Sequence, residues 1–123
     1  MKLHADPLTR LNTVTAYGAG FVEINKVRHD RSIVLCPESP VAPWSAASFE
    51  TLRADDLAAL LVFAPEVVLL GTGERQRFPP PQLLRPLAQA RIGVEVMSTP
   101  AACRTYNILM AEGRRVLAAL LHD

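Results

Sequence analysis

The stretch from Pro65 to Met97 constrains the fold more than any other part of this 123-residue chain. Val67-Val68-Leu69-Leu70 is an apolar run of strand length, closed by Pro65 before it and by Gly71-Thr72-Gly73 after it. The run does not alternate between polar and apolar residues, so both of its faces are expected to be buried, as in the interior of a helix-covered sheet. A helix follows from about Pro81 to Ala90, with Leu83, Leu84, Leu87 and Ala88 on one face, and Val94 to Met97 reads as a second buried strand. Strand, helix, strand in that order is a crossover unit, which makes the two strands parallel. The expected class is therefore α/β.

Residues 1–12 carry little periodicity and read as an N-terminal arm, leaving residues 13–123 as one domain. From Thr13 the pattern is strand-like. Val14 and Ala16 precede Gly18-Ala19-Gly20, and Phe21, Val22 and Ile24 follow, so two short strands or one bent strand fit equally well. Asn25-Lys26 to Asp30-Arg31 offers polar turn chemistry, Ile33 to Cys36 reads as another strand, and Pro37 to Trp44, with three prolines, reads as an ordered loop. Ser48 to Leu52 is a candidate short strand. Asp55-Asp56 sit where acidic residues complement a helix N-terminus, and Leu57, Leu60, Leu61 and Ala64 recur at helical spacing up to Pro65. Thr99-Pro100 reads as a helix start, with Thr99 as the N-cap and Pro100 at the first helical position. Ala101, Ala102, Thr105, Ile108 and Leu109 mark its inward face, and Gly113 suits the left-handed position that ends it. Val116 to Leu121 reads as a last strand, although composition alone also allows helix.

Hydrophobic residues make up 50% of the chain and charged ones 20%, a balance that supports one autonomous core and argues against extended disorder. The 13 basic and 12 acidic side chains are spread along the sequence for a net charge of +1, so there is no clustered basic face of the kind that binds nucleic acid. Glu74-Arg75-Gln76-Arg77 is too short and mixed to supply one. No apolar run approaches the roughly 18 residues that cross a bilayer. Met1 to Pro7 has no secretory-signal segment, and a cytoplasmic location is expected. Cys36 and Cys103 lack the spacing of a zinc or redox motif and read as buried thiols. His4, His29 and His122 show no ligand spacing, so neither a metal nor a cofactor is expected.

The standard catalytic signatures fail on inspection. Gly71-Thr72-Gly73-Glu74-Arg75-Gln76 begins like a dinucleotide fingerprint, but Gln76 stands where close helix packing needs a small residue. There is no phosphate loop and no serine flanked by glycines. No residue is assigned as catalytic. What remains is position. Gly71, Thr72 and Gly73 lie beyond the end of one strand and Ser98 and Thr99 beyond the end of the next, where ligands collect in parallel sheets. A small polar or anionic ligand is therefore a candidate there, with Arg75 or Arg104 supplying charge. Tight-turn and capping roles explain the same residues without a ligand. Cys103 falls in the first turn of the last helix, where the helix dipole lowers a thiol pKa, but no histidine is close in sequence to serve as its base. Trp44 is either a core lid or, with Arg75 and Phe78, an anchor for a protein partner. A homodimer through a strand edge or the proline-rich loop is compatible with the sequence, with no residue requiring it.

Leu69-Leu70-Gly71-Thr72-Gly73-Glu74-Arg75, Gly93 to Asn107 and Glu112-Gly113-Arg114 together, in that order, resemble the domain-of-unknown-function family 498. The similarity runs from about Val14 to Leu121 and includes a tryptophan like Trp44. That family includes the mitochondrial complex I assembly factor 3 type and the adipogenesis-associated type. The resemblance implies a three-layer α/β fold with a central mixed sheet whose last strand runs against its neighbours. It supplies no catalytic residues. With the missing catalytic groups it points to a non-enzymatic interaction or assembly factor acting through an unidentified protein partner; the strand-end loops around Gly71-Gly73 and Ser98-Thr99 offer the alternative, a small-molecule or anion-binding protein or a minor enzyme. The chain has no evident Arg-rich transit sequence, so a mitochondrial address is not expected.

Overall fold

The computed structural model describes residues 10–123. The elements run β1 (Val14–Gly18), β2 (Phe21–Ile24), β3 (Val27–His29), β4 (Ile33–Leu35), β5 (Ala42–Pro43), α1 (Ala54–Ala58) continued by a 3-10 segment (Ala59–Phe63), β6 (Val67–Thr72), α2 (Pro81–Gln89), β7 (Gly93–Met97), α3 (Thr99–Ala111) and β8 (Val116–Leu121). Five strands form a mixed sheet in the order β5-β4-β8-β6-β7, and β1-β2-β3 form a separate antiparallel sheet.

The crossover read from the sequence is present: β6 and β7 are parallel, with Val67 facing Gly93 and Gly71 facing Met97. From β7 the helix α3 carries the chain back past β6, and β8 enters on the far side of β6, again parallel, with Val67 facing Val116 and Thr72 facing Leu121. The expectation that the last strand runs against its neighbours is thereby corrected. A helix crossover returns a strand in the same direction, so β8 is antiparallel only to β4, where Ile33 faces Leu120. The insertion also leaves β7 at the edge. Gly93 and Glu95 are exposed, so β7 is not the second fully buried strand that was expected, a place taken by β8.

Strict alternation along the central strands builds a core on each face of the sheet. Val67, Leu69, Val116, Ala118 and Leu120 join Val14, Val22, Ile24 and the Ala102, Cys103, Tyr106 and Met110 face of α3. Val68, Leu70, Leu117, Ala119 and Leu121 join Leu57, Leu60, Leu87 and Trp44 on the other side. α3 thus turns Cys103, Tyr106 and Met110 inward, and Ile108, expected inside, is 59% exposed.

Several local readings change. The Thr13 to Ile24 stretch is two strands, and a third, β3, lies inside the segment read as polar turn. Asn25 and Lys26 take positive φ angles of 52° and 71°, the conformation of a two-residue hairpin turn that joins β2 to β3. Ser48 to Leu52 is not a strand. The Ser48 hydroxyl hydrogen bonds with Thr51, and the Leu52 N–H donates to the Phe49 carbonyl, which closes turns instead. The first helix changes to 3-10 geometry at Ala59 and stops at Ala64, which has φ 50°. Residues 1–9 of the expected arm lie outside the described residues. Asn12, also assigned to that arm, is fastened to the domain: its N–H donates to Pro37 and its carbonyl accepts the Tyr106 hydroxyl at 2.7 Å.

Candidate functional site

Gly71, Thr72, Gly73, Ser98 and Thr99 do converge at the carboxyl ends of β6 and β7, but they bond to one another. Ser98, not Thr99, is the N-cap of α3, and its hydroxyl accepts the Ala101 N–H. Thr99 begins the helix with its side chain turned inward, where Oγ1 accepts the Gly73 N–H at 2.9 Å and donates to the Leu121 carbonyl at 2.6 Å. The Thr99 N–H donates to the Gly73 carbonyl at 2.7 Å. Gly71 is a glycine because a Cβ there would stand 2.9 Å from the Thr99 hydroxyl and 3.0 Å from a Leu120 methyl. The Thr72 hydroxyl donates to the Arg75 carbonyl at 2.6 Å and accepts the Arg77 N–H at 3.0 Å. The crevice beside these groups, lined by Tyr17, Gly73, Thr99 and Asp123 among others, is about 10 Å³. That is room for no more than about one water.

Two residues missed at the sequence level complete this corner. The Asp123 carboxylate accepts the Glu74 N–H at 3.1 Å and pairs with Arg77 Nη2 at 3.1 Å. Gly73 has φ 102°, and a side chain there would collide with that carboxylate. Arg77 also reaches the Thr72 carbonyl and Glu50, each at 2.9 Å, and its guanidinium lies 4.5 Å from the centre of the Phe49 ring. It therefore ties three chain segments together. No pattern in the sequence singles it out, since Glu74-Arg75-Gln76-Arg77 looks like ordinary solvated charge. Gln76, the residue that ends the dinucleotide reading, donates its amide to the Val96 carbonyl at 2.8 Å and so caps part of the open β7 edge.

The remaining candidates separate. Arg104 is exposed and donates to the Tyr17 hydroxyl at 2.8 Å, on the hairpin side. Arg75 and Phe78 are exposed on the loop after β6, Phe78 to 71%. Trp44 does not join them. It is 7% exposed and its indole N–H donates to the Asp56 carbonyl at 2.9 Å, so the reading of Trp44 as a partner anchor is corrected: it closes the core over α1. Burial pushes the Asp56 carboxyl up, but hydrogen bonds from the Ser45 hydroxyl and from Arg53 outweigh this and hold it below the usual carboxylate range. The low pKa considered for Cys103 is also corrected. It lies in the second turn of α3, fully buried, and burial pushes its thiol up to about 12 against the opposing charge of Arg104. Burial likewise raises Cys36 to about 11. Among the described residues, no three His, Cys, Asp or Glu side chains gather as a metal site, and no helix is long and apolar enough to cross a membrane.

Known structures share this fold. The crystal structure of a Bordetella parapertussis protein is 53% identical, covers 92% of this chain and 97% of its own, and superposes with a TM-score of 0.84. A Bordetella pertussis protein solved by NMR as a Mth938-like domain is 46% identical, with 100% and 93% covered and a TM-score of 0.81. Among curated proteins, NADH dehydrogenase [ubiquinone] 1 alpha subcomplex assembly factor 3 from Bos taurus is 38% identical over 83% of this chain and 55% of its own length. The Homo sapiens protein of the same name is 34% identical over 88% and 59%. The chain thus spans somewhat over half the length of these relatives. Residues 14–121 match one protein family along nearly the whole described fold, and the chain belongs to that family, the proteins of unknown function DUF498/DUF598.

Proposed function

We propose that this chain is a non-enzymatic assembly factor that works through protein contacts, with Arg75 and Phe78 on the loop between β6 and α2 as its contact surface. The observation that carries this reading is the contrast within that loop. Its backbone is pinned by Thr72, Arg77 and Asp123, while Phe78 is 71% exposed. An aromatic side chain held out on a fixed backbone loses little freedom when a partner covers it, which is how interface hot spots gain affinity. The assembly-factor name of the curated relatives supports the class of activity. Loss of Trp44 to the core concentrates the surface on this one loop. The two free cysteines are both buried and fit a reducing compartment, so the reading places the activity in the cytoplasm.

The test is affinity capture from native cells with the wild-type chain, Phe78→Ala and Arg75→Ala. A partner retained by the wild type and lost with Phe78→Ala supports the surface. Captured sets that are identical for all three chains, or a partner lost equally with a substitution on the hairpin such as Arg28→Ala, refute it. Recovery of the chain's own second copy at this loop would make the partner a homodimer.

A further inference from the structure

A cleft lies at the other end of the sheet, where β6 and β8 begin. Leu11, Cys36, Phe63, Met110, Arg114 and Arg115 are among the residues that enclose about 210 Å³. Each of its two walls is fixed by hydrogen bonds of its own. On one side Asn12 locks the 36–39 loop, with its N–H on the Pro37 carbonyl at 2.9 Å and its amide on the carbonyls of Cys36, at 2.9 Å, and Ser39, at 2.5 Å. On the other, Glu66 accepts the Arg115 N–H at 2.8 Å and donates its own N–H to the Arg115 carbonyl at 2.9 Å.

Glu66 also decides which cation is available. Its second carboxylate oxygen pairs with Arg114 at 3.3 Å, while the Arg115 guanidinium has no ion-pair partner among the described residues. Arg115, which lines the cleft together with Met110, Phe63, Leu11 and Cys36, is therefore the lining cation that forms no ion pair among the described residues. Glu38, exposed at the mouth, disfavours any second negative charge on the occupant. The volume is below the roughly 300 Å³ at which drug-sized sites begin, and holds about seven groups of the size of a water molecule at roughly 30 Å³ each.

We propose that this cleft binds a small-molecule monocarboxylate with a short apolar body, its carboxylate on Arg115 and its body against Met110, Phe63 and Leu11. A guanidinium matches a carboxylate in a two-pronged geometry, and the apolar side chains reward the methylenes that a bare anion lacks. The binding lies at the opposite end of β6 from the contact loop, so it stands or falls separately from the assembly reading.

The experiment is an NMR titration of the full ¹⁵N-labelled chain with hexanoate, hexan-1-ol, inorganic phosphate and the tripeptide Ala-Ala-Leu. Hexanoate is expected to give saturating shifts of the Ser39, Gly113, Arg115 and Val116 amides, with hexan-1-ol about tenfold weaker and phosphate inactive. Arg115→Gln should weaken hexanoate about tenfold and leave hexan-1-ol unchanged, while Glu38→Gln keeps or tightens hexanoate; spectra elsewhere in both variants report that the fold is intact. The proposal is overturned by the absence of saturating shifts up to about 10 mM, by hexan-1-ol binding as well as hexanoate, or by indifference to Arg115→Gln. Tighter binding of the tripeptide than of hexanoate at the same amides overturns the small-molecule assignment in favour of a peptide end.

Discussion

Thr99→Val separates a structural role for the strand-end corner from a ligand-binding one. Valine keeps the branched shape and removes one oxygen. In the native chain that oxygen accepts the Gly73 N–H at 2.9 Å and donates to the Leu121 carbonyl at 2.6 Å, with Thr99 only 5% exposed. After substitution the donor and the acceptor both stay buried, and each such unmet group costs about 1–3 kcal/mol. The expected loss is about 2–6 kcal/mol. With an unfolding entropy of about 2.1 cal/mol/K per residue, the midpoint of thermal unfolding falls by about 8–23 °C. Thr99→Ser retains both hydrogen bonds and loses one methyl, a cost of about 1 kcal/mol. Urea unfolding followed by the fluorescence of Trp44, the single and buried tryptophan, reads all three chains. If Thr99→Val comes within about 0.5 kcal/mol of Thr99→Ser, the hydroxyl is not an internal bolt and the argument fails.

Arg77→Met loses a charge-assisted bond to the Thr72 carbonyl and the stack on Phe49, and should cost about 1–2 kcal/mol in denaturant unfolding; Glu50→Gln, which removes an exposed partner of Arg77, should leave the midpoint unchanged. Cys36 and Cys103, with thiols at about 11 and 12, should resist a thiol reagent at pH 8 until denaturant is added, with Cys36 the first to react; fast labelling of Cys103 in the native chain would contradict its burial. Burial lowers the His122 pKa below its ordinary 6.5 against the opposing hydrogen bond to Arg31 and the charges of Asp30 and Asp123. The unfolded chain therefore takes up a proton at a higher pH than the folded one, so stability is full above about 6.5 and falls as the pH drops through the folded value. Urea midpoints measured from pH 7.5 to 5 should decline for the wild type and flatten in that interval for His122→Gln.

The crossover was legible because its signal is local: an uninterrupted apolar run, a helical period and a second strand suffice to make β6 and β7 parallel. Where β8 goes is not local. Nothing in Val116 to Leu121 says whether it extends the sheet beyond β7 or returns to lie between β4 and β6, and that choice decides which strand is the edge. Ser98 and Thr99 differ in a similar way. Both are good cap residues, and only the presence of the Gly73 N–H and the Leu121 carbonyl behind the helix start gives the cap to Ser98 and draws Thr99 inward. Asn12 and Arg77 were invisible because their value lies in partners 24 to 27 residues away or farther, such as Cys36 and Ser39 for one and Glu50 for the other.

The strand-end loop, expected as a candidate place for an anion, holds a carboxylate of the chain itself. The backbone N–H groups of Gly73 and Glu74 are donors of the kind that hold a phosphate in anion-binding loops. Here the first is taken by the Thr99 hydroxyl and the second by the Asp123 carboxylate, with Arg77 closing on the same carboxylate. Asp123 therefore supplies from within the chain the negative charge that the loop geometry favours. The half-fingerprint Gly71-Thr72-Gly73 has its glycines because a close strand-to-helix approach needs Gly71 and a left-handed turn needs Gly73. Gln76, which breaks the fingerprint, then has the strand edge to cover, and Phe78, two residues on, is the side chain the bolted loop holds out to solvent.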